Sequence, residues 1–243
     1  MFESEFLVSV PINSPFKMAA NTKHDGIHIR IMTEKDYEEI KELIFEDYFT
    51  GVPLCLPKSK FTTETKELLD GVHRHMVAQD TCLVAIDEVN NGRLVAFALA
   101  GAQFPEDLEK QRNELDRIQP ELAVLLRFLH GLECQAGIFK RYGVTKLIYS
   151  CFTYVNPEMR GRRLGVRLAE AVMELGRSKG FPLMTACCVS FYSARQKEAL
   201  GMECILSQSY ADYKDDQGQE IFTPPAPHKE VRILAIRLIN KEE

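Results

Sequence analysis

The chain has no C-x-x-C pair, no excess of positive charge, no leader-like start and no internal repeat. Its seven cysteines are an odd number, and Cys187 and Cys188 are neighbours, a poor geometry for bridging each other. That usage predicts reduced thiols, a cytoplasmic location and no zinc site. A net charge of -5 argues against a nucleic-acid binder, which neutralises phosphates with a basic surface. The opening "MFESEFLVSVPINSP" carries acids where a secretory leader carries lysine or arginine. No apolar run reaches the length of a membrane span, so no membrane role is expected. Neither a G-x-x-x-x-G-K-[ST] loop nor a G-x-G-x-x-G fingerprint occurs. With 45% hydrophobic residues over 243 positions, the chain can bury one sizeable core. The expectation is a monomer built as a single domain.

Residues 1–26 show no steady periodicity and contain "NSP" and "NTKHDG", which predicts a loosely packed extension before one domain over 27–243. "IHIRIM" alternates like a strand. Thr33 then opens a capping box with Asp36 at its third helical position. Tyr37, Ile40, Leu43, Ile44 and Tyr48 follow at helical spacing, and "TETKELLDGVHRHMV" predicts a second helix. His73 and His75 lie on that second helix, where ligand contact is one reading and surface placement the favoured one. "TCLVAIDEVNNGRLVAFALAGAQ" reads as a hairpin, because Asn90, Asn91 and Gly92 tolerate the positive φ of a tight turn. A helical insertion over about 106–142 restarts at Pro120 and carries a core-facing stripe of Leu122, Leu125, Leu126, Leu129 and Leu132. Then come the strand "TKLIYSCFTYV", a helix ended by Gly180, the buried strand "FPLMTACCV" and the short helix "SARQKEALG". A hairpin turning at Gly218 and a last strand, "EVRILAIRL", complete an α/β order with a mixed sheet covered by helices.

The turn "YVNPEMRGRRLGVRLAE" joins the fourth strand to the helix after it, and four arginines crowd it: Arg160, Arg162, Arg163 and Arg167. Free backbone N–H groups at a helix start favour an anion, commonly phosphate. Gly161 lets a ligand approach the backbone, and the arginines can add charge-assisted hydrogen bonds. The alternative is a plain surface cap with solvated arginines, and from these residues alone the two readings stand even. Arg167 in particular reads as a solvated helix residue.

"VNPEMRGRRLGVRLAEAV" resembles the acetyl-coenzyme A motif of the GNAT superfamily of N-acetyltransferases, Arg/Gln-x-x-Gly-x-Gly/Ala. Arg160 and Gly165 match its ends, while Arg163 stands where the middle glycine is expected. "CCVSFYSARQKEALGMECILSQSYADYKDDQGQEIFTPPAPH" is similar to the C-terminal half of insect-type arylalkylamine N-acetyltransferases. The resemblance implies the GNAT fold: a largely antiparallel, twisted, mixed sheet splayed between strands 4 and 5, with helices on both faces. It also implies acetyl-CoA as cosubstrate and a small-molecule amine as acceptor, the amine attacking the thioester directly in the cleft between those strands.

By the same resemblance, Thr153, Tyr154 and Val155 line the acetyl-pantetheine arm, and backbone groups from Gly161 through Arg162, Arg163 and Leu164 to Gly165 hold the pyrophosphate. Ser190 is the serine left in the cysteine-serine turn, where the family's first serine falls on Val189. Ser193 is a candidate donor to the departing thiolate and equally a candidate N-cap of the helix that follows. Tyr192 is the alternative donor, or else a buried aromatic at that helix start. Val52 occupies the position of the family's catalytic glutamate and cannot accept a proton. Glu46 and Asp47 are candidate substitutes, with solvated surface charge as the other reading. His228, in "PPAPH", is a candidate base or a structural group of its loop. Two further readings remain: a protein of this fold that binds acyl-CoA with little turnover, and an acetyltransferase of proteins, its insertion covering a peptide groove.

Overall fold

A computed structural model describes residues 25–45, Leu54 and 61–239. All but the last two residues of the expected N-terminal extension lie outside it, as do Glu46, Asp47 and Val52. The strands are β1 Ile27–Ile31, β2 Leu83–Asp87, β3 Arg93–Gln103, β4 Leu147–Val155, β5 Leu183–Cys188, β6 Glu203–Ser209 and β7 Glu230–Arg237. The helices are α1 Glu34–Leu43, α2 Thr63–Ala78, α3 Pro105–Glu114, α4 Pro120–Ala136, α5 Ile138–Tyr142, α6 Leu164–Ser178 and α7 Phe191–Glu198. They follow the order expected from the sequence. One sheet of order β1-β2-β3-β4-β5-β7-β6 runs through the molecule. Its pairs are antiparallel except β4 with β5.

Local chemistry explains several elements. In α1 the Thr33 hydroxyl accepts the Asp36 N–H at 3.3 Å, and the Asp36 carboxylate accepts the Thr33 N–H at 2.8 Å. Asp36 also takes both guanidinium arms of Arg30 at 2.6 and 2.8 Å. Arg30 first, with Thr33 adding to it, holds this carboxyl down at about 2. In the β2–β3 turn, Asn91 and Gly92 have φ of 57° and 68°, as the hairpin reading requires. Helix α6 ends in a paired left-handed cap: Gly180 N–H reaches Arg177 O at 3.0 Å and Phe181 N–H reaches Gly176 O at 2.9 Å.

The sheet is covered on both faces. Leu164, Leu168, Val172 and Leu175 of α6 pack on one face against Ala96, Ala98 and Ala100 of β3. The intervening Phe97 and Leu99 turn to the other face and pack with Tyr37 and Ile40 of α1 and Val77 of α2. Helix α4 covers the same face further along, over Leu147, Leu183 and Ile233. Small residues set the close approach of α6: a Cβ on Gly176 would lie 2.7 Å from Leu238 and 3.1 Å from Ile148.

The structure corrects four readings. The insertion is broken a second time, at Gly137, which adopts φ 55° and ψ 38° and separates α4 from α5. Leu122–Tyr142 is a 21-residue stretch with mean hydropathy 1.3, long and apolar enough by length and composition to cross a membrane. Here Leu122, Leu125 and Leu132 are buried on the sheet. Residues after Ser209 do not fold back as a strand on β6. Instead β6 pairs with β7, and only an isolated bridge, Lys214 with Glu220, flanks the Gly218 turn. His73 is buried, 3% exposed, because its side of α2 faces β4.

Candidate active site at the β4–β5 split

Strand β4 pairs with β3 from Leu147 to Val155 but with β5 only at Ile148 and Tyr149. Beyond those two rungs the strands diverge and a cleft opens, as the family fold implies. A bulge marks the point of departure: Leu99 faces Phe152 while Ala100 faces Ser150, leaving Cys151 as the extra residue. Thr153, Tyr154 and Val155, all half-buried, form the β4 side of the split.

The chain leaves this split through Asn156, whose side chain accepts the Glu158 N–H at 3.0 Å and caps a short turn over Pro157–Met159. Arg160, Gly161, Arg162 and Arg163 are exposed. Gly161 has φ 81°, and Arg163, in the glycine position of the motif, is also left-handed, with φ 60° and ψ 18°. That answers why the motif places glycine there: the backbone must turn left-handed to enter α6, a conformation side chains tolerate poorly. Arg163 makes no side-chain cap, so the first N–H groups of α6 point at the turn's outer face. Leu164, 1% exposed, pins the turn into the core. At Gly165 a Cβ would lie 2.7 Å from Gln196 Oε1, so this glycine also lets α7 approach α6. Arg167 is not a solvated residue. It donates to Asp25 at 2.7 Å and to Ile27 O at 3.2 Å, and so ties α6 to the start of β1.

Helix α7 sits beside the β5 end of the split. Its N-cap is Ser190, not Ser193. Ser193, in the first turn, donates to Cys188 Sγ at 3.6 Å and accepts from Lys197 Nζ at 3.2 Å. Lys197 is buried, 3% exposed, unusual for lysine and attributable to its place under the same helix turn. Tyr192 is not a buried aromatic. It is 64% exposed and meets His228 edge to face at 5.6 Å. His228 Nδ1 accepts the Phe191 N–H at 3.1 Å, holding the open start of α7, and partial burial lowers its pKa. Ser193, Tyr192 and His228 are thus gathered at one helix start. Their observed bonds are structural.

On the face covered by α2 and α4 lies a cavity of about 240 Å³. Its floor is the split itself, with Tyr149, Cys151 and Phe152 from β4 and Cys187 and Val189 from the other side. Leu125, Leu126 and Leu129, three of the five leucines of the stripe expected in the core, are walls of this cavity. Burial pushes the Cys151 thiol up to about 12 and that of Cys187 well above its ordinary range, so both stay protonated at neutral pH. His73 enters from α2 with Nδ1 3.3 Å from the Tyr37 hydroxyl, which itself donates to Asp70 at 2.9 Å. Burial lowers the His73 pKa to about 4. Glu133 enters from α4, 8% exposed, with the Tyr149 side chain beside its carboxylate. Burial raises its pKa. Sequence reading passed over Glu133, although an acid at the i+4 position from Leu129, on an otherwise apolar stripe, was the available signal.

Comparison with known proteins agrees with this architecture. The sequence profile of the Acetyltransferase (GNAT) family matches residues 37–196. No curated protein sequence matches the chain. The structure of a Drosophila melanogaster polyamine N-acetyltransferase, which catalyses the formation of N-acetylagmatine, is 29% identical. It covers 87% of this chain and 99% of its own, with a TM-score of 0.74. A mosquito arylalkylamine N-acetyltransferase-like 5b is 26% identical over 87% of this chain and 99% of its own, with a TM-score of 0.75. A Sinorhizobium meliloti phosphinothricin acetyltransferase solved with acetyl-CoA shares the fold at 16% identity, covering 87% of this chain and 88% of its own, with a TM-score of 0.52. With the strand split, the turn into α6 and a profile match over more than half its length, the chain belongs to the GNAT acetyltransferase family.

Proposed function

We propose that the protein is an acetyl-CoA-dependent N-acetyltransferase acting on a small amine of the arylalkylamine or agmatine kind. The observation that carries this reading is the split at Tyr149, with the left-handed turn into α6 at its outer end and an apolar cavity beneath it. The residues present suit acetyl-CoA. Gly161 and Arg163 take the backbone conformations that turn the chain into α6, and Arg160 and Arg162 stand exposed beside it. Backbone N–H groups from Gly161 to Gly165, with Arg162 and Arg163 beside them, would meet the pyrophosphate. Thr153, Tyr154 and Val155 would meet the pantetheine arm along the β4 side, and Ser190 would meet it from the β5 side. The acetyl carbonyl then lies at the split, facing the cavity.

The acceptor enters the cavity. Its nitrogen attacks the thioester carbon, a C–N bond forms, and the C–S bond breaks with its electron pair leaving on sulfur. Ser193 or Tyr192 would return a proton to that sulfur. Apolar walls with few polar groups suit an amine carried on an apolar or aromatic body. A monomer in the cytoplasm, without nucleic-acid or membrane partners, completes the proposal.

The test is release of free CoA from acetyl-CoA with phenylethylamine, agmatine and a panel of other amines. Turnover above the hydrolytic blank supports the reading. Tight acetyl-CoA binding by calorimetry with no release for any amine would sink it and favour a non-catalytic acyl-CoA binder. Val52→Glu belongs in the same assay, and a gain in rate with phenylethylamine would tie the sequence position of Val52 to proton removal.

A further inference from the structure

We propose that Glu133, on the inserted helix α4, is the acceptor-site carboxylate that receives the substrate ammonium and removes its proton. This rests on the acetyl-transfer reading above. Geometry carries it. Among the described residues, Glu133 is the carboxylate buried in the wall of the cavity, and Cys151 on β4 and Cys187 on β5 both lie within range of its charge. Those two residues stand on opposite sides of the split, just past the last paired rung at Tyr149 and Thr185. A group that addresses both sides faces the place where the reacting carbonyl would lie. Tyr149, on that last rung, lies beside the Glu133 carboxylate and favours its charged form.

The other titratable groups around the cavity fit the task less well. His73, across from Glu133 on α2, has its Nδ1 against the Tyr37 hydroxyl, and burial lowers its pKa to about 4. Such a histidine is a weak base at neutral pH. His130, on Glu133's own helix, is bonded through Nε2 to Leu108 O at 2.6 Å. Glu114, at the end of α3, is only half-buried. Cys151 and Cys187 are held as thiols. Gln103, on β3, lies close to Glu133 but carries no charge. Burial raises the Glu133 pKa, which strengthens it as a base while leaving it able to ionise once an ammonium sits beside it.

The proton balance is complete. An ammonium, R–NH3+, enters beside the Glu133 carboxylate and gives it one proton, becoming R–NH2 with a free lone pair. That nitrogen attacks, the thiolate leaves, and the second proton lost from nitrogen neutralises sulfur. Glu133 then returns its proton to water. The sum is R–NH3+ plus acetyl-CoA giving the N-acetyl amine, CoA–SH and one proton.

The experiment compares wild type, Glu133→Gln, Glu133→Asp and Tyr149→Phe, using phenylethylamine and agmatine as acceptors over pH 5.5–9.5 (roughly the range in which such bases titrate). Glu133→Gln is expected to bind acetyl-CoA as wild type does by calorimetry. It is also expected to lose about 100-fold in kcat and the acidic limb of the kcat/KM profile. Glu133→Asp should restore part of that limb. Tyr149→Phe removes a neighbour that favours the charged form, so its acidic limb should move to higher pH. If wild type is active and Glu133→Gln stays within about three-fold of it with the same profile, the inference falls and the acetyl-transfer reading stands. A rise in KM alone, with kcat unchanged, also overturns the proton-removal role. If wild type turns over no amine, the functional reading fails, and this inference fails with it.

Discussion

Arg163 carries a conformational cost that its neighbours do not. A left-handed backbone at a long, non-glycine residue costs about 1 kcal/mol relative to glycine. Arg163→Gly is therefore expected to raise the thermal midpoint by about 2 °C, with acetyl-CoA affinity unchanged or improved. A weaker affinity would show that the Arg163 side chain clasps the ligand. His73 makes the opposite kind of statement, about charge. Its folded pKa of about 4 lies below the ordinary histidine value near 6.5. The unfolded chain therefore binds more protons between those values, and stability falls as pH drops from about 6.5 to 4. The loss is on the order of 3 kcal/mol. Thermal melts against pH should show a smaller acid loss for His73→Gln, whose amide keeps a partner for Tyr37.

At the scale of elements, α7 depends on a side chain from far along the chain. His228 Nδ1 accepts the first-turn N–H of Phe191, in a role usually filled by an N-cap oxygen. His228→Ala should cost about 1 kcal/mol, a usual value for a lost cap, read as a lower denaturation midpoint. Protonation of His228 removes the same acceptor, so the difference between variant and wild type should shrink as pH falls. Helix α6 is held differently, by close approach. Gly176→Ala places a methyl 2.7 Å from Leu238 Cδ1 and 3.1 Å from Ile148 Cγ2. Overpacking of about 1–3 kcal/mol outweighs the gain in helix propensity of about 1 kcal/mol. The variant should melt lower, and a rise in its midpoint would mean that Leu238 moves aside without cost.

Across the whole molecule, two buried groups pull the pH dependence in opposite directions. Glu133 has a raised folded pKa, so the folded state holds its proton more tightly than the unfolded one. Its contribution is present below the unfolded carboxylate value near 4.3 and is lost as pH rises through the folded value. Glu133→Gln should then be more stable than wild type at high pH and equal to it in acid, the mirror of His73→Gln. Acetyl-CoA, if it binds the folded state as proposed, adds about 2.7 kcal/mol at a hundred times its Kd. The expected readout is a higher midpoint in its presence.

Sequence by itself determined the elements and their order, because their signals are local: the Thr33–Asp36 box, the positive-φ pair Asn91–Gly92, the cap at Gly180 and the period of α6. It also located the turn into α6, since a glycine-rich strand-to-helix junction is contiguous in the chain. What only the tertiary structure decided are relations between distant segments. Arg167 looked solvated on its own helix, and it is Asp25, 142 residues earlier, that engages it. His228 reads as either a base or a structural group of its loop until Phe191 is found on its ring nitrogen. Glu133 appears as a stray acid on a leucine stripe until Tyr149, Cys151 and Cys187 converge around it at the split. A residue's periodicity names the face it lies on. Burial, and with it the pKa and the chemistry, depends on what the rest of the chain brings to that face.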